Sequence, residues 1–342
     1  MCKFLINNSF KNPEIENSML KNLINKINNL ILLPVIFNGV ELTFLLDTGI
    51  DKTLLFVLEP SEDLEINSSK TINIRGLGED DKLKAFQSIN NTFKIGDAVN
   101  NNKDVYIVVD KESKLTKRIG LPINGIIGYN LFKNFIVKID YKRNFIKLYE
   151  PARFNRKLKS FDMLPLYFYK RKPYIDLKVE DASISKSQMK LLFDTGSGSS
   201  FWLLKNEDIA VPKLFFKDIL GYGFTSAING KRSKIDKVSL GDYQIDEPSV
   251  AYPDVSSVLQ IEQNTMRNGT IGAEILRRFK WFLDYKNKKV YFKSNSSLDE
   301  PFNYDMSGLL LEYEGLKLIK RIKDIQMNRD YSSNFNEGMQ KQ

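Results

Sequence analysis

The sequence predicts a mostly β protein built as two similar lobes related by an approximate twofold axis, and three observations carry that prediction. The tripeptide Asp-Thr-Gly occurs twice, as Asp47-Thr48-Gly49 and Asp194-Thr195-Gly196, 147 residues apart, each time after a Leu-Leu or Leu-Phe pair. A longer segment also recurs: NGIIGYNLFKNFIVKIDYKRNFIKLYE over 124–150 and NGTIGAEILRRFKWFLDYKNKKVYFKS over 268–294. At a single offset of 144 these share Asn124/Asn268, Gly125/Gly269, Ile127/Ile271, Gly128/Gly272, Phe135/Phe279, Asp140/Asp284, Tyr141/Tyr285 and Lys142/Lys286. Third, both halves alternate short apolar runs with turn residues, the pattern of strands and hairpins. A period near half the chain implies one supersecondary plan used twice.

Taken in order, ILLPVIF, the pair Asn38-Gly39 and ELTFLLD read as a hairpin, because Asn-Gly readily adopts the positive φ angles of a tight turn. The second strand of that hairpin ends at Asp47. Ile74-Arg75-Gly76-Leu77-Gly78 then opens a segment running to Ile95-Gly96. In the second half PYIDLKVED and QMKLLFD, joined by a longer connection around 183–187, deliver Asp194 from a strand end in the same way. Gly221-Tyr222-Gly223-Phe224 runs on toward Leu240-Gly241. The expected divisions are an N-terminal extension (1–30), a first lobe (31–150), a linker (151–160), a second lobe (161–295) and a C-terminal appendage (296–342). In the extension, LKNLINKINNL reads as one short helix or as the lead-in to the first strand. The tail, with SGLLLEYEGLKLIKRIKDI, reads as a strand plus a helix with a frayed end, about 45 residues being too few for a complete further domain.

A strand that delivers an acid into a glycine-bearing loop has a physical rationale. Leu45, Leu46, Leu192 and Phe193 anchor the strand, while Gly49 and Gly196 let the backbone turn without a Cβ clash. The short hydroxyls of Thr48 and Thr195 can reach backbone of the opposite loop and lock the two loops together. Gly128 and Gly272, 81 and 78 residues beyond their acids, suit close approach beneath those loops. A lone Asp-Thr-Gly is also an ordinary polar turn; two copies, each with a matching downstream glycine, argue against that. Two carboxylates a few ångströms apart share one proton, which makes one a base and the other an acid. Ser197 can donate a hydrogen bond to Asp194 whereas Ile50 has nothing to give Asp47, so the proton is expected on Asp47.

These motifs carry a family resemblance. LLDTGIDKTLLF (45–56) resembles the retropepsin active-site segment Leu-Leu-Asp-Thr-Gly-Ala-Asp-Asp-Thr, and IIGYNLF (126–132) resembles its downstream Ile-Ile-Gly-Arg-Asn-Leu-Leu element. The second half is closer to the pepsin pattern, with Asp194-Thr195-Gly196-Ser197 and then Phe201-Trp202. The chain thus resembles the retropepsin and pepsin superfamily of aspartic proteases, in the bacterial branch where two retropepsin-like halves are fused, over residues 31–294. The resemblance implies two retropepsin-like β-barrel lobes with the active site between them. It also implies an aspartic endopeptidase in which Asp47 and Asp194 activate water, without cofactor or metal, in a chain complete as a monomer. Asp51 matches the acid that contacts substrate main chain in retropepsins. Gly76, Gly78, Gly221 and Gly223 become flap glycines that approach an extended peptide, or else plain hairpin glycines. Leu54, Tyr222, Phe224 and Trp202 would line an apolar cleft, although Phe201 and Trp202 read better as core. Ile50 departs from the small residue expected after the first tripeptide. A competing reading is a catalytically silent peptide-binding or regulatory module that keeps the fold. The opening of the tail resembles the first strands of a PDZ module.

Composition narrows the rest. The 342 residues contain no His, which removes Ser-His-Asp and Cys-His hydrolases and every His-ligated zinc site. The single cysteine, Cys2, forbids an internal disulfide. The formal charge of +9 arises from Lys and Arg scattered among Asn and Ile, without zinc-finger, phosphate-loop or RNA-binding signatures, so no nucleic-acid partner is expected. No stretch reaches the roughly 18 apolar residues of a transmembrane helix. The N-terminus lacks a signal-peptide pattern, which reads as cytoplasmic, whereas Cys2 directly after Met would also suit a chain cut at a lipoprotein cysteine; the compartment stays open.

Overall fold

The computed structural model describes residues 19–57, 68–75, 82–109, 121–223, 226–258, 267–304, 316–320 and 337–341. The first half consists of β1 (Met19–Leu23), β2 (Asn25–Ile27), β3 (Leu30–Phe37), β4 (Val40–Leu46), β5 (Leu54–Val57), β6 (Ser68–Arg75), β7 (Lys82–Ile95), β8 (Ala98–Val109) and β9 (Gly125–Ile127). A single helical turn, α1 (Tyr129–Phe132), leads into β10 (Ile136–Asp140) and β11 (Phe145–Tyr149). The second half opens with β12 (Asp162–Pro165), β13 (Tyr167–Tyr169), β14 (Lys172–Glu180), β15 (Gln188–Phe193) and β16 (Phe201–Leu203). It continues through β17 (Phe216–Tyr222), β18 (Ala227–Lys234), β19 (Lys237–Leu240), β20 (Tyr243–Asp246) and β21 (Ser249–Pro253). After α2 (Val255–Val258) come β22 (Gly269–Ile271), α3 (Ala273–Leu276), β23 (Phe279–Asp284) and β24 (Lys289–Ser294).

The architecture is mostly β in two lobes, and the strand order is the same in both. In the first lobe the sheet runs β2-β3-β4-β9-β5-β8-β7-β6; in the second, read from the opposite end, β14-β15-β22-β16-β21-β18-β17 follows the same course. Each lobe threads its Asp-bearing strand beside a short strand in parallel, Leu46 opposite Ile127 and Phe193 opposite Ile271. The predicted Asn-Gly turn forms between β3 and β4, with Asn38 at φ 46° and Gly39 at φ 89°. Gly96 and Gly241 take equivalent turns, at φ 56° and 57°.

A third sheet, β1-β11-β10-β23-β24-β12, joins the lobes through the antiparallel pair β10 and β23, with Val137 opposite Leu283 and Asp140 opposite Lys280. One face of its central strands, with Val137, Ile139, Trp281 and Leu283, joins the main core; the other alternates Ile136 and Phe282 with Lys138 and Lys280 and is covered by Phe154, Leu158 and Phe161. Trp281 and Phe292 lie fully buried in one continuous core with Phe37, Phe44 and Phe193. LKNLINKINNL is strand, not helix: β1 and β2 pair with β11 and β3. Its apolar positions suit either element, and the open edge of β11 decides between them. In the tail, β25 (Leu316–Lys320) and β26 (Glu337–Lys341) form an antiparallel pair; the helix expected there lies outside the described residues.

Candidate active site

Both tripeptides sit where the two lobes meet. Asp47 leaves β4 with its N–H bonded to Ile127 O (2.9 Å), and Asp194 leaves β15 with its N–H bonded to Ile271 O (3.0 Å). Each carboxylate also closes a small ring with its own loop: Gly49 N–H donates to Asp47 Oδ1 (2.6 Å) and Gly196 N–H to Asp194 Oδ1 (2.9 Å). The turn residues thus fix the carboxyl planes.

The two carboxyl groups face each other. A single point, where a Cβ on Gly49 would stand, is 3.0 Å from both Asp194 Oδ2 and Asp47 Oδ1. A Cβ on Gly196 would meet Asp47 Cγ at 2.3 Å. At position 196 only glycine leaves room for the acid of the opposite lobe, and at 49 a Cβ would fit only if the carboxylates gave way by a few tenths of an ångström.

The threonines lock the loops reciprocally. Thr48 N–H donates to Thr195 Oγ1 (3.1 Å) and Thr195 N–H to Thr48 Oγ1 (3.0 Å), while the two hydroxyls donate to Phe193 O (2.5 Å) and Leu46 O (2.8 Å). Both threonines are fully buried, so each bond is protected from competing water. Thr48→Val is therefore expected to leave the Thr195 N–H and the Phe193 carbonyl unpaired and to cost about 2–4 kcal/mol in urea denaturation, with Thr48→Ser recovering most of it. Equal losses from the two variants would show that the hydroxyl is not what holds the loops.

Gly128 and Gly272 lie beneath the loops as expected. A Cβ on Gly128 would stand 2.1 Å from Asp47 O and 2.7 Å from Ile50 Cγ2; one on Gly272 would stand 2.2 Å from Ser199 O. Ile50 is thereby accommodated: it packs on the apolar cluster of the first lobe in space that Gly128 leaves open, and its carbonyl accepts the Tyr129 N–H (3.2 Å). Crowding of the loop is relieved from below.

Burial and proximity both act on Asp47. Burial raises the Asp47 carboxyl well above its ordinary 3.8, the charge of Asp194 raises it further, and the Gly49 N–H and the more distant Lys172 partly oppose this. The expected donor from Ser197 to Asp194 does not form among the described residues; the Ser197 carbonyl accepts Ala273 N–H (2.7 Å), and its hydroxyl lies beside Gly272. Whatever favours a proton on Asp47 is burial and Asp194, not Ser197.

The remaining expected residues scatter more widely. Asp51 is partly exposed just past the first loop. Gly221 and Gly223 lie at the end of the β17–β18 hairpin, where Gly223 N–H donates to Ser226 O (2.9 Å). Gly76, Gly78 and Phe224 lie outside the described residues. Leu54 and Trp202 are floor, not open wall, at 1% and 7% exposure; Phe201 is core, as read.

Several neighbours were not singled out from the sequence. Turns at Asn28-Asn29 and Lys170-Arg171, all four residues at positive φ, reach across to the opposite lobe. Asn29 Nδ2 donates to Glu274 Oε2 (2.6 Å), and the Arg171 guanidinium lies 5.6 Å from the Tyr129 ring. Beneath the acids Tyr285 packs on Phe132 and Phe168, with ring centroids 5.2 and 4.8 Å away, and burial holds its phenol well above the ordinary range. The Tyr141/Tyr285 match was visible in the repeat, but nothing in the pattern marked its place under the dyad. Among the described residues no group of three His, Cys, Asp or Glu is placed to hold a metal ion, and no helix is long and apolar enough to cross a membrane.

A two-lobed β architecture with paired, threonine-locked Asp-Thr-Gly loops at the junction defines a pepsin-like fold. Comparison with known proteins agrees. Residues 33–131 match the aspartyl protease family. The aspartic proteinase from Irpex lacteus superposes with a TM-score of 0.52 at 11% identity, over 83% of this chain and 100% of that one. No curated protein matches the sequence. The family match lies within the first lobe, and the structural likeness shows that the two-lobed chain has the fold of a pepsin-like aspartic proteinase.

Proposed function

We propose that the protein is an aspartic-type endopeptidase acting on extended peptides. The observation that carries the reading is the meeting of the Asp47 and Asp194 carboxyls within loops that the two threonines clamp. A pair held so close carries one proton, and the proposal puts it on Asp47, whose carboxyl burial and the Asp194 charge push upward. Asp194, ionised, would take a proton from a water lodged between the two acids, and that water would attack the scissile carbonyl. Asp47 would donate to the carbonyl oxygen as charge develops there, and the amide nitrogen would be protonated as it leaves. Thr48, Gly49, Thr195, Gly196, Gly128 and Gly272 would act as support for the loops. Asp51, Gly221 and Gly223, with Gly76 and Gly78, would bind substrate main chain. Strand-like pairing of the peptide against the flap hairpins supplies the binding mode. The shared strand order of the halves supports an origin by internal duplication, and because one chain supplies both acids, a monomer suffices.

Cleavage of an unbiased peptide library between pH 3 and 8 tests the reading, and no cleavage across that range would end it. The raised Asp47 also makes a stability prediction. A carboxyl whose pKa rises on folding favours the folded state below its ordinary value of 3.8, and that contribution is lost as pH climbs through the folded value. Asp47→Asn should therefore gain thermal stability over wild type at pH 7 and show little difference at pH 3. A difference independent of pH would mean that Asp47 is not held protonated by the fold.

A further inference from the structure

The two lobes share a ladder of side chains on the face of the sheet that carries the acids, since Leu45 and Leu192 stand two residues before Asp47 and Asp194. In the first lobe Leu32 pairs with Leu45, Leu45 with Ile126, and Ile126 with Leu54. All four belong to one apolar cluster, which also takes in Leu30, Ile123 and the flap residue Ile74. In the second lobe the same register joins Tyr174 to Leu192, Leu192 to Thr270, and Thr270 to Trp202. Leu30, two residues before Leu32, is there replaced by Lys172, and Ile123, just before the matched Asn124, by Arg267. The floor that is wholly aliphatic in one lobe carries Tyr174, Thr270 and Trp202 beside Leu192 in the other, with two cations added.

Both cations are placed to act. Lys172 is partly exposed, makes no hydrogen bond or ion pair among the described residues, and lies near enough to Asp47 to oppose the rise of its pKa. Arg267 is partly exposed and anchored on β22, where it donates to Gly269 O (3.0 Å) and to Thr270 Oγ1, within Coulomb range of the Asp194 carboxylate. A dyad that shares one proton carries one negative charge. Two cations within Coulomb range of it outnumber that charge, and a guanidinium favours a carboxylate as ligand.

We infer that the cleft is chemically two-sided, with an apolar subsite on the first lobe and a cationic subsite formed by Lys172 and Arg267 on the second. The preferred substrate then carries an apolar side chain on one side of the scissile bond and Asp or Glu on the other. This inference rests on the protease reading above, and the test separates the two.

Quenched peptides carrying Glu or Gln in turn at each position flanking the scissile bond are compared at pH 6, where a substrate Glu is ionised. At one position wild type should favour Glu by roughly tenfold in kcat/KM, and at the other, where apolar residues win, it should favour neither. Lys172→Met should shrink the Glu preference, and Lys172→Glu should turn it toward Lys; Arg267→Gln should also shrink it. Cleavage of the library with no acidic preference, or with one that none of these variants moves, overturns the two-sided cleft and leaves the protease standing. If wild type cuts nothing, the protease reading falls, and affinity for the Glu and Gln peptides decides the subsite: equal binding overturns it too.

Discussion

Asp47→Asn and Asp194→Asn should each lower kcat/KM for peptide cleavage by roughly two to four orders of magnitude while leaving the fold intact. Neither acid can cover for the other, because the proposed chemistry needs one ionised and one protonated carboxyl at the same moment. An amide is neither base nor acid near neutral pH. Its carbonyl oxygen can still accept the Gly49 or Gly196 N–H, and the threonine clamp involves neither Asp side chain. Circular dichroism should thus stay near wild type and the urea midpoint should not fall, Asp47→Asn gaining at pH 7 as argued above, which separates lost chemistry from lost structure. Equal cleavage by wild type and both variants would rule out the dyad as the source of cleavage and with it the protease reading.

The acids were legible because everything that positions them is local or repeated. Strand, turn and glycine are written within a few residues of each Asp, and the second copy supplies the partner that one copy cannot reveal. The threonine clamp was legible for the same reason: a short hydroxyl beside a turn has few other uses when two such loops face each other. What escaped was set by long-range pairing. Met19–Leu23 forms a strand because β11 offers an open edge, which no window around LKNLINKINNL contains. Sequence alone offers Ser197 as a donor to Asp194, yet its place beside Gly272 depends on how β22 crosses the loop. Lys172 and Arg267 did have a signal. Each sits at a repeat position where the first half has an aliphatic residue, but only the strand register turns that difference into two walls of one cleft.

Gly128→Ala should be among the most destabilising single changes in the chain, at about 3 kcal/mol or more. The new methyl would stand 2.1 Å from Asp47 O and 2.7 Å from Ile50 O. These are backbone atoms, and neither can yield without moving the loop that carries the acid. Asp47 is bonded through its N–H to Ile127 O, and Ile50 through its carbonyl to Tyr129 N–H, so the strain spreads to β9 and α1 on either side of the glycine. Gly272→Ala should behave alike, its Cβ standing 2.2 Å from Ser199 O. Gly221→Ala provides the contrast: the nearest atom to its Cβ is Trp202 Cζ2 at 3.7 Å, ordinary contact, and the change should stay within about 0.5 kcal/mol. Urea denaturation of the three variants measures this directly. A Gly128→Ala protein as stable as Gly221→Ala would mean that the loop yields easily. In that case the close packing beneath Asp47 could not be what holds its carboxyl against Asp194, and the rigidity assumed for the dyad would have to come from the threonines alone.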